Sequence, residues 1–296
     1  MGWEKALLIR ELLQSACLRL EKAGVENPEI DAGALLGYCL GKTRTALYLM
    51  AGDELSSDTK KQFLNLFKRR EQREPLAYIL GCQEFWSLDF LVSPDVLIPR
   101  PETELLLEKV IKISKEDILP SGVVLDLCCG SGVIAIILAK ELGRKVLAID
   151  ISMDAILIAR ENAKRHGVAH LVHFLQSDLL SAVQALPCFS LVVSNPPYVS
   201  QQDIAYGLQP EVGQYEPILA LDGGDKGLEI IQRIDEELRR RLLPGASVVM
   251  EIGAEQGIDI VSIFTTERNL TKSFTELIIE KDYAGHDRIF HAKLER

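Results

Sequence analysis

The chain is 296 residues long, with 47% hydrophobic and 26% charged residues, a globular mixture that excludes disorder and has room for two domains. Lys and Arg number 33 against 43 Asp and Glu, a net charge of −10 that disfavours non-specific binding to nucleic acid, since few phosphates can be neutralised. Six cysteines form no C-x-x-C pair and no metal-ligand spacing with the five histidines, so a metal site is excluded and free thiols in a reducing compartment are expected.

At the N-terminus, "MGWEKALLIRELLQ" mixes charges through an amphipathic pattern, unlike a signal peptide, and Ala6 departs from the acylation pattern after Gly2. The longest apolar run, Val133 to Ala139, is too short to span a bilayer, so a soluble, cytoplasmic monomer is expected. Residues 1–74 read as a helical bundle whose role is to recognise a partner. Its first helix stops at Gly24, its second starts at Asn27 and Pro28, and a later one is capped by Ser57 or Asp58. That helix ends in "KRREQR", Lys68 to Arg73, which reads either as a basic patch or, more simply, as a solvated helix end. Residues 75–100 form a connecting stretch with a possible β-hairpin. Pro101, with Glu102 and Glu104 behind it, starts a helix, and residues 101–296 form the second domain.

From Gly122 onward strands and helices alternate, which predicts a layered α/β fold with a mostly parallel sheet. The strands are "VVLDLC", "KVLAID", "LVHFLQSD", "FSLVVSN" and "ASVVMEIG", followed by "SFTELIIEKD" and "DRIFHAKL". Only "YAGH" joins the last two, too few residues for a parallel crossover, so one of them runs antiparallel.

Ligands in such sheets bind at the carboxyl ends of the strands, and four motifs fall there. The segment Cys128, Cys129, Gly130, Ser131, Gly132 follows the first strand, where glycines admit close backbone approach and a helix N-terminus offers free N–H groups. Its pattern also satisfies the dinucleotide signature. Asp150 closes the second strand and suits the two hydroxyls of a ribose, or alternatively caps the next helix. Asp178 and Leu179 end the third strand; they suit an adenine, unless Asp178 caps a helix over "LLSAVQAL".

The fourth motif, Asn195-Pro196-Pro197-Tyr198, is the discriminating one. A conjugated nitrogen is a poor nucleophile, and a site that alkylates one must accept its N–H hydrogens and aim it at the donor. The Asn195 oxygen and the Pro196 carbonyl, stiffened by Pro197, are two such acceptors, and Tyr198 offers a flat wall for a planar group. No His or Lys lies in the four motifs, so orientation rather than a general base carries the chemistry. A nicotinamide oxidoreductase has no use for this tetrad, but an adenine or guanine amino-methyltransferase shares it, and a non-catalytic cofactor-binding protein is a third reading.

With "FLVSPDVLIPRPETE" (Phe90 to Glu104), Asn195 to Tyr198 and "QYEPILALDGGDKGLEII" together, the chain resembles the release factor glutamine methyltransferases, the HemK/PrmC family, over essentially its whole length. The resemblance implies a class I methyltransferase domain, Rossmann-like with a seven-stranded sheet and a C-terminal antiparallel hairpin. It implies transfer of methyl from S-adenosylmethionine, leaving S-adenosylhomocysteine, to the glutamine of the Gly-Gly-Gln motif in class 1 release factors. By position, Cys128 to Gly132, Asp150, Asp178, Leu179 and Asn195 would hold the cofactor, and Asn195, Pro196, Pro197 and Tyr198 the glutamine amide. One departure stands out: Cys128 occupies the first glycine of the family's D-x-G-x-G-x-G turn, so its side chain must point away from the cofactor or the turn must adjust.

Overall fold

A computed structural model describes residues 8–116, 119–266 and 273–296; the expectations for residues 1–7 lie outside these. The chain forms two compact units, Met1–Gly81 with Gln209–Tyr215, and Cys82–Leu208 with Glu216–Arg296. Among the described residues no helix is long and apolar enough to cross a membrane.

The first unit contains α1 (Ile9–Lys22), α2 (Pro28–Leu40), α3 (Arg44–Leu49), α4 (Ser57–Glu71) and α5 (Leu76–Leu80). Leu12, Ala16 and Leu20 of α1, Leu35 and Leu36 of α2, and Phe63 and Phe67 of α4 share one apolar core, as their three- and four-residue spacing demands. The α4 cap is Ser56, whose hydroxyl accepts from the Thr59 amide at 3.2 Å, one position before the expected Ser57 or Asp58. Asp58 falls instead in the first turn, where its charge still meets the helix dipole.

Within the basic run at the end of α4, Lys68 stays exposed, as a solvated helix end would have it, while the arginines are tied into ion pairs. Arg70, with a side chain 7% exposed, pairs with Asp31 at 2.7 Å and Glu211 at 3.0 Å. Arg73 also pairs with Glu211, and Arg69 with Glu74. Glu211 comes from the distant segment Gln209–Tyr215, which sequence separation hides from any local reading.

In the second unit, β1 (Cys82–Phe85) and β2 (Leu88–Leu91) form an antiparallel hairpin. Its two-residue turn, Trp86-Ser87, has φ of 55° and 56°, a conformation usually left to Asn and Gly. Glu104 of α6 (Pro101–Glu116) holds that turn by accepting the Trp86 amide at 2.7 Å.

The remaining elements are β3 (Val123–Leu127), α7 (Val133–Leu142), β4 (Val146–Asp150), α8 (Met153–Arg165), β5 (Val172–Gln176), β6 (Phe189–Ser194), α9 (Gln201–Tyr206), α10 (Pro210–Gly213, within the helical unit), α11 (Glu229–Leu238), β7 (Leu242–Glu251), α12 (Gly257–Thr265), β8 (Phe274–Lys281) and β9 (Asp287–Leu294). The sheet order is β5-β4-β3-β6-β7-β9-β8, parallel except for β9, which runs antiparallel to both neighbours. This is the mostly parallel seven-stranded sheet that the alternation and the short last connection predict. One face is covered by residues of α6, α7 and α8, the other by α11 and α12. The strand alternation in the sequence gives no signal for α12, and Gly227, at φ 71°, lies just before α11. Residues 179–186 form turns rather than a helix.

Register decides where the chemistry can sit. Leu127 of β3 lies opposite Ile149 of β4 and Ser194 of β6, and Asp150 lies opposite Gln176 of β5. The four parallel strands therefore end level, and the motifs that follow them emerge along one edge, where the strand order reverses around β3.

Candidate functional site

A cavity of about 570 Å³ opens at that edge. Of the sequence-predicted residues, Cys128, Cys129, Gly130, Ser131, Asp150, Asp178, Leu179, Asn195 and Pro197 line it. Gly132, Pro196 and Tyr198 lie outside the lining. Gly132 serves packing: at φ 81°, a Cβ there would stand 2.8 Å from the Ala159 methyl on α8. A Cβ on Gly130 would meet no protein atom, which leaves that backbone open on the cavity side.

Asp150 does not cap α8; Ser152 does, accepting the Ala155 amide at 3.2 Å. The Asp150 oxygens accept instead from the Gly130 and Ser152 amides, at 2.8 and 2.9 Å. Burial pushes its carboxyl up from the ordinary value, and these amides pull it back. Since each carboxylate oxygen carries a second lone pair, the group can still accept from a ligand hydroxyl. Asp178 caps nothing either, because no helix follows; its Oδ1 accepts from Arg233 at 2.8 Å. Asp126 of β3, one residue before the cavity-lining Leu127, accepts the Ala135 amide on Oδ2 at 2.9 Å while its buried Oδ1 has no partner. Burial lifts its carboxyl to about 8.

Cys128 takes φ 64° and Leu179 φ 45°, the left-handed region that side chains avoid. Such a conformation costs on the order of 1–3 kcal/mol and persists only where the surroundings enforce it. Cys128 thus holds a backbone conformation that glycine takes more readily, with its side chain packed against the apolar cluster that includes Leu125 and Leu127. Burial raises its thiol well above the ordinary value, so it is no thiolate nucleophile.

Asn195 belongs to a chain of hydrogen bonds. Its Nδ2 donates to Thr103 Oγ1 at 3.2 Å, and Thr103 Oγ1 donates to Glu251 Oε2 at 2.7 Å. The other Glu251 oxygen accepts from the Tyr198 hydroxyl at 2.9 Å. Tyr198 is held at its backbone too, since its carbonyl accepts from Gln256 Nε2 at 2.9 Å. A Cβ on Gly227 would come within 2.2 Å of that carbonyl, so only glycine fits there. Val199 and Gly223 exchange further backbone bonds with Leu221 and Val199, which moors the stretch after the prolines to the "LDGG" segment.

The chain is 38% identical to the release factor glutamine methyltransferase of Koribacter versatilis over 284 residues, covering 96% of this chain and 97% of that protein. It is 38% identical to the one of Vibrio cholerae over 285 residues, covering 96% of each. The chain belongs to the release factor glutamine methyltransferases.

Residues 11–81 match the family model of the PrmC N-terminal domain, and residues 101–213 that of the methyltransferase small domain. Among solved structures, the catalytic domain of hMettl16 in complex with a MAT2A 3'UTR hairpin superposes with a TM-score of 0.50 at 16% identity, covering 73% of this chain and 80% of that one, a likeness of fold.

In this family member, sequence reasoning passed over several residues at the site. Thr103 lies within "PRPETE" and Glu251 within "ASVVMEIG", both outside the four strand-end motifs. A carboxylate closing an otherwise apolar strand was the visible signal for Glu251. Arg100, which lines the cavity and pairs with buried Glu216 of the "YEP" segment at 2.5 Å, had no local signal. Nor did Asn162 of α8, fully buried, whose Nδ2 donates to the Ser131 and Leu91 carbonyls at 2.9 and 3.0 Å and ties the glycine turn to the hairpin.

Proposed function

We propose that this chain transfers a methyl group from S-adenosylmethionine to the side-chain amide nitrogen of the glutamine in the Gly-Gly-Gln motif of class 1 release factors. The observation that carries the reading is that Asn195 opens onto the same cavity as Asp150 and the glycine turn. Family membership supplies the acceptor, and the register of β3 and β6 supplies the proximity.

The residues present fit S-adenosylmethionine. The cavity lies within the roughly 300–1,000 Å³ of ligand clefts. Gly130 leaves a backbone cradle that a Cβ would fill, Asp150 keeps lone pairs for ribose hydroxyls, and Leu179 offers an apolar face beside Asp178. When bound, S-adenosylmethionine supplies a methyl carbon activated by a sulfonium sulfur.

Everything else falls to the chain. Asn195 Oδ1 takes one of the two amide hydrogens and points the nitrogen into the cavity, while Pro196, buried outside the lining, stiffens the turn that presents it. Pro197, Val96, Leu97 and Pro217 to Ala220, all in the cavity wall, exclude water from the amide. Tyr198, held through its hydroxyl and carbonyl, braces the Asn-Pro-Pro backbone. Orientation and exclusion of water then supply the rate, without a general base.

The helical unit serves partner recognition, and the enzyme acts as a cytoplasmic monomer that holds no nucleic acid stably. Six free thiols and a charge of −10 support this, as does the internal neutralisation of the arginines in the Lys68 to Arg73 run. The test is to incubate the protein with methyl-labelled S-adenosylmethionine and purified release factor, ribosomal RNA and DNA. Label on the Gly-Gly-Gln glutamine is the expected result; label on a nucleic acid, or none, overturns the reading.

A further inference from the structure

Glu251 is an expensive residue to bury. It ends β7, is 1% exposed, and follows a strand whose preceding residues are buried or apolar. A carboxylate in such a place costs several kcal/mol unless its oxygens are satisfied, and an apolar side chain would pack there more cheaply. No ion pair compensates it among the described residues: the nearby Arg288 guanidinium donates to Asp282 and to the Ile252 carbonyl. What Glu251 does hold is two hydroxyls, one on each oxygen, and both lead to the same four-residue motif.

The direction of each bond follows from chemistry. Burial raises the Glu251 carboxyl above its ordinary value, while the Thr103 and Tyr198 hydroxyls and the Arg288 charge pull it back; in its ionised form it only accepts, so the single proton of Thr103 Oγ1 goes to Glu251 Oε2. With its proton committed, Thr103 Oγ1 has only lone pairs left, and any neighbour must donate to it. Asn195 is that neighbour, and its amide has one donor end and one acceptor end. Its NH₂ therefore turns to Thr103, and its Oδ1 is the end left to the cavity. Without the hydroxyl, the two amide orientations would differ little in energy. The flipped one would present N–H donors to a group that must itself be bound through its N–H hydrogens.

We propose that Glu251 and Thr103 form a polarity relay that locks Asn195 with Oδ1 toward the cavity, so that Thr103 is a positioning residue that selects an N–H donor as the methyl acceptor. The relay rests on the proposed transfer to a planar nitrogen, and deepens it. It explains why a glutamine amide would enter with its nitrogen rather than its carbonyl facing the donor: the carbonyl finds no donor at Asn195. It also assigns a purpose to the threonine of "PRPETE". Located on the first turn of α6, this residue reaches the residue after β6 and the end of β7 at once through a single oxygen.

The experiment compares Thr103→Val, Thr103→Ala and Thr103→Ser with the wild type, using methyl-labelled S-adenosylmethionine and whichever acceptor the wild type labels. Valine matches threonine in shape and removes only the hydroxyl, alanine removes it with less risk of a packing fault, and serine restores it. Expected are a drop of about 10- to 100-fold in kcat for Thr103→Val and Thr103→Ala, as for a misoriented reacting group. Calorimetric Kd for S-adenosylmethionine should stay within about twofold, as Thr103 does not orient the cofactor in this scheme, and Thr103→Ser should recover kcat to within about threefold of wild type. Wild-type kcat in both hydroxyl-free variants, or a serine variant as impaired as valine, overturns the relay. A wild type that labels some other acceptor overturns the release-factor reading while leaving the relay to be judged on that acceptor.

Discussion

The helical unit and the strands of the α/β unit treat buried charge in opposite ways. In the helical unit, buried Asp31 meets Arg70, which also meets Glu211, which meets Arg73; each charge has an opposite charge beside it. Along the cavity edge of the α/β unit, Asp126, Asp150 and Glu251 are held mainly by backbone amides and hydroxyls. One oxygen of Asp126, and one of Glu216, is buried without a partner. The paired network does structural work, closing a distant segment onto the bundle. Carboxylates held by neutral donors keep accepting capacity and fix the direction of every proton around them, which is what a binding site needs. On a helix remote from that edge, α11, the buried Asp235 returns to the paired pattern, meeting Arg239 at 2.8 Å. Buried Glu216, paired with Arg100 at the cavity itself, does the same, so the contrast holds for Asp126, Asp150 and Glu251 on the strands rather than for the whole unit.

The largest expected effect lies at the cavity. Asn195→Ala should lower transfer to a release factor by about 100- to 1,000-fold, the loss seen when one preorganised acceptor or donor is removed. Calorimetry should still detect binding of S-adenosylmethionine, because the glycine turn and Asp150 remain. A variant that transfers methyl at the wild-type rate would remove Asn195 from the mechanism.

Next comes the paired network. Arg70→Ala leaves Asp31 and part of Glu211 uncompensated, and removing one partner of a buried pair costs about 3–5 kcal/mol. Chemical denaturation should show the loss as an earlier transition, with affinity for S-adenosylmethionine unchanged. Should the variant unfold like wild type, the contrast between structural and functional charge would collapse.

The smallest effect is a pH dependence. Asp126 titrates at about 8 when folded, against an ordinary 3.8. Between those values the folded chain keeps a proton that the unfolded chain has released, so the stability contribution is full below 3.8 and is lost as pH rises through about 8. Asp126→Asn removes the titration. Thermal melts at about pH 6 and about pH 9 should show the wild type losing ground to the variant, since only the wild type must ionise a buried group. Parallel behaviour of the two proteins would mean that Asp126 is ionised in the fold throughout.

Much of this was legible in the residues. Alternation of apolar runs with amphipathic segments specified the α/β layer, and a four-residue connection specified a reversed strand, because both follow from local periodicity and chain reach. The placing of Cys128, Asp150, Leu179 and Asn195 on one edge follows from the sequence, since strand ends share an edge in a parallel sheet. Other features were hidden. The Trp86-Ser87 turn carries no Asn-Gly signal and stands because Glu104 holds it. Ser56 rather than Ser57 caps α4 because cap choice among adjacent candidates depends on the incoming chain.

By itself, then, the sequence determined the alternation of strands and helices, the reversed strand and the residue types at the strand ends, all properties of short stretches and their periods. Tertiary structure alone decided that a run of arginines closes on Glu211, that Tyr198 faces Glu251 instead of the cavity lining, and that Thr103 stands between Glu251 and Asn195. Those contacts join residues between 53 and 148 positions apart, and no local preference records a partner at such a distance. A hydrogen bond has a direction only once both of its ends are in place.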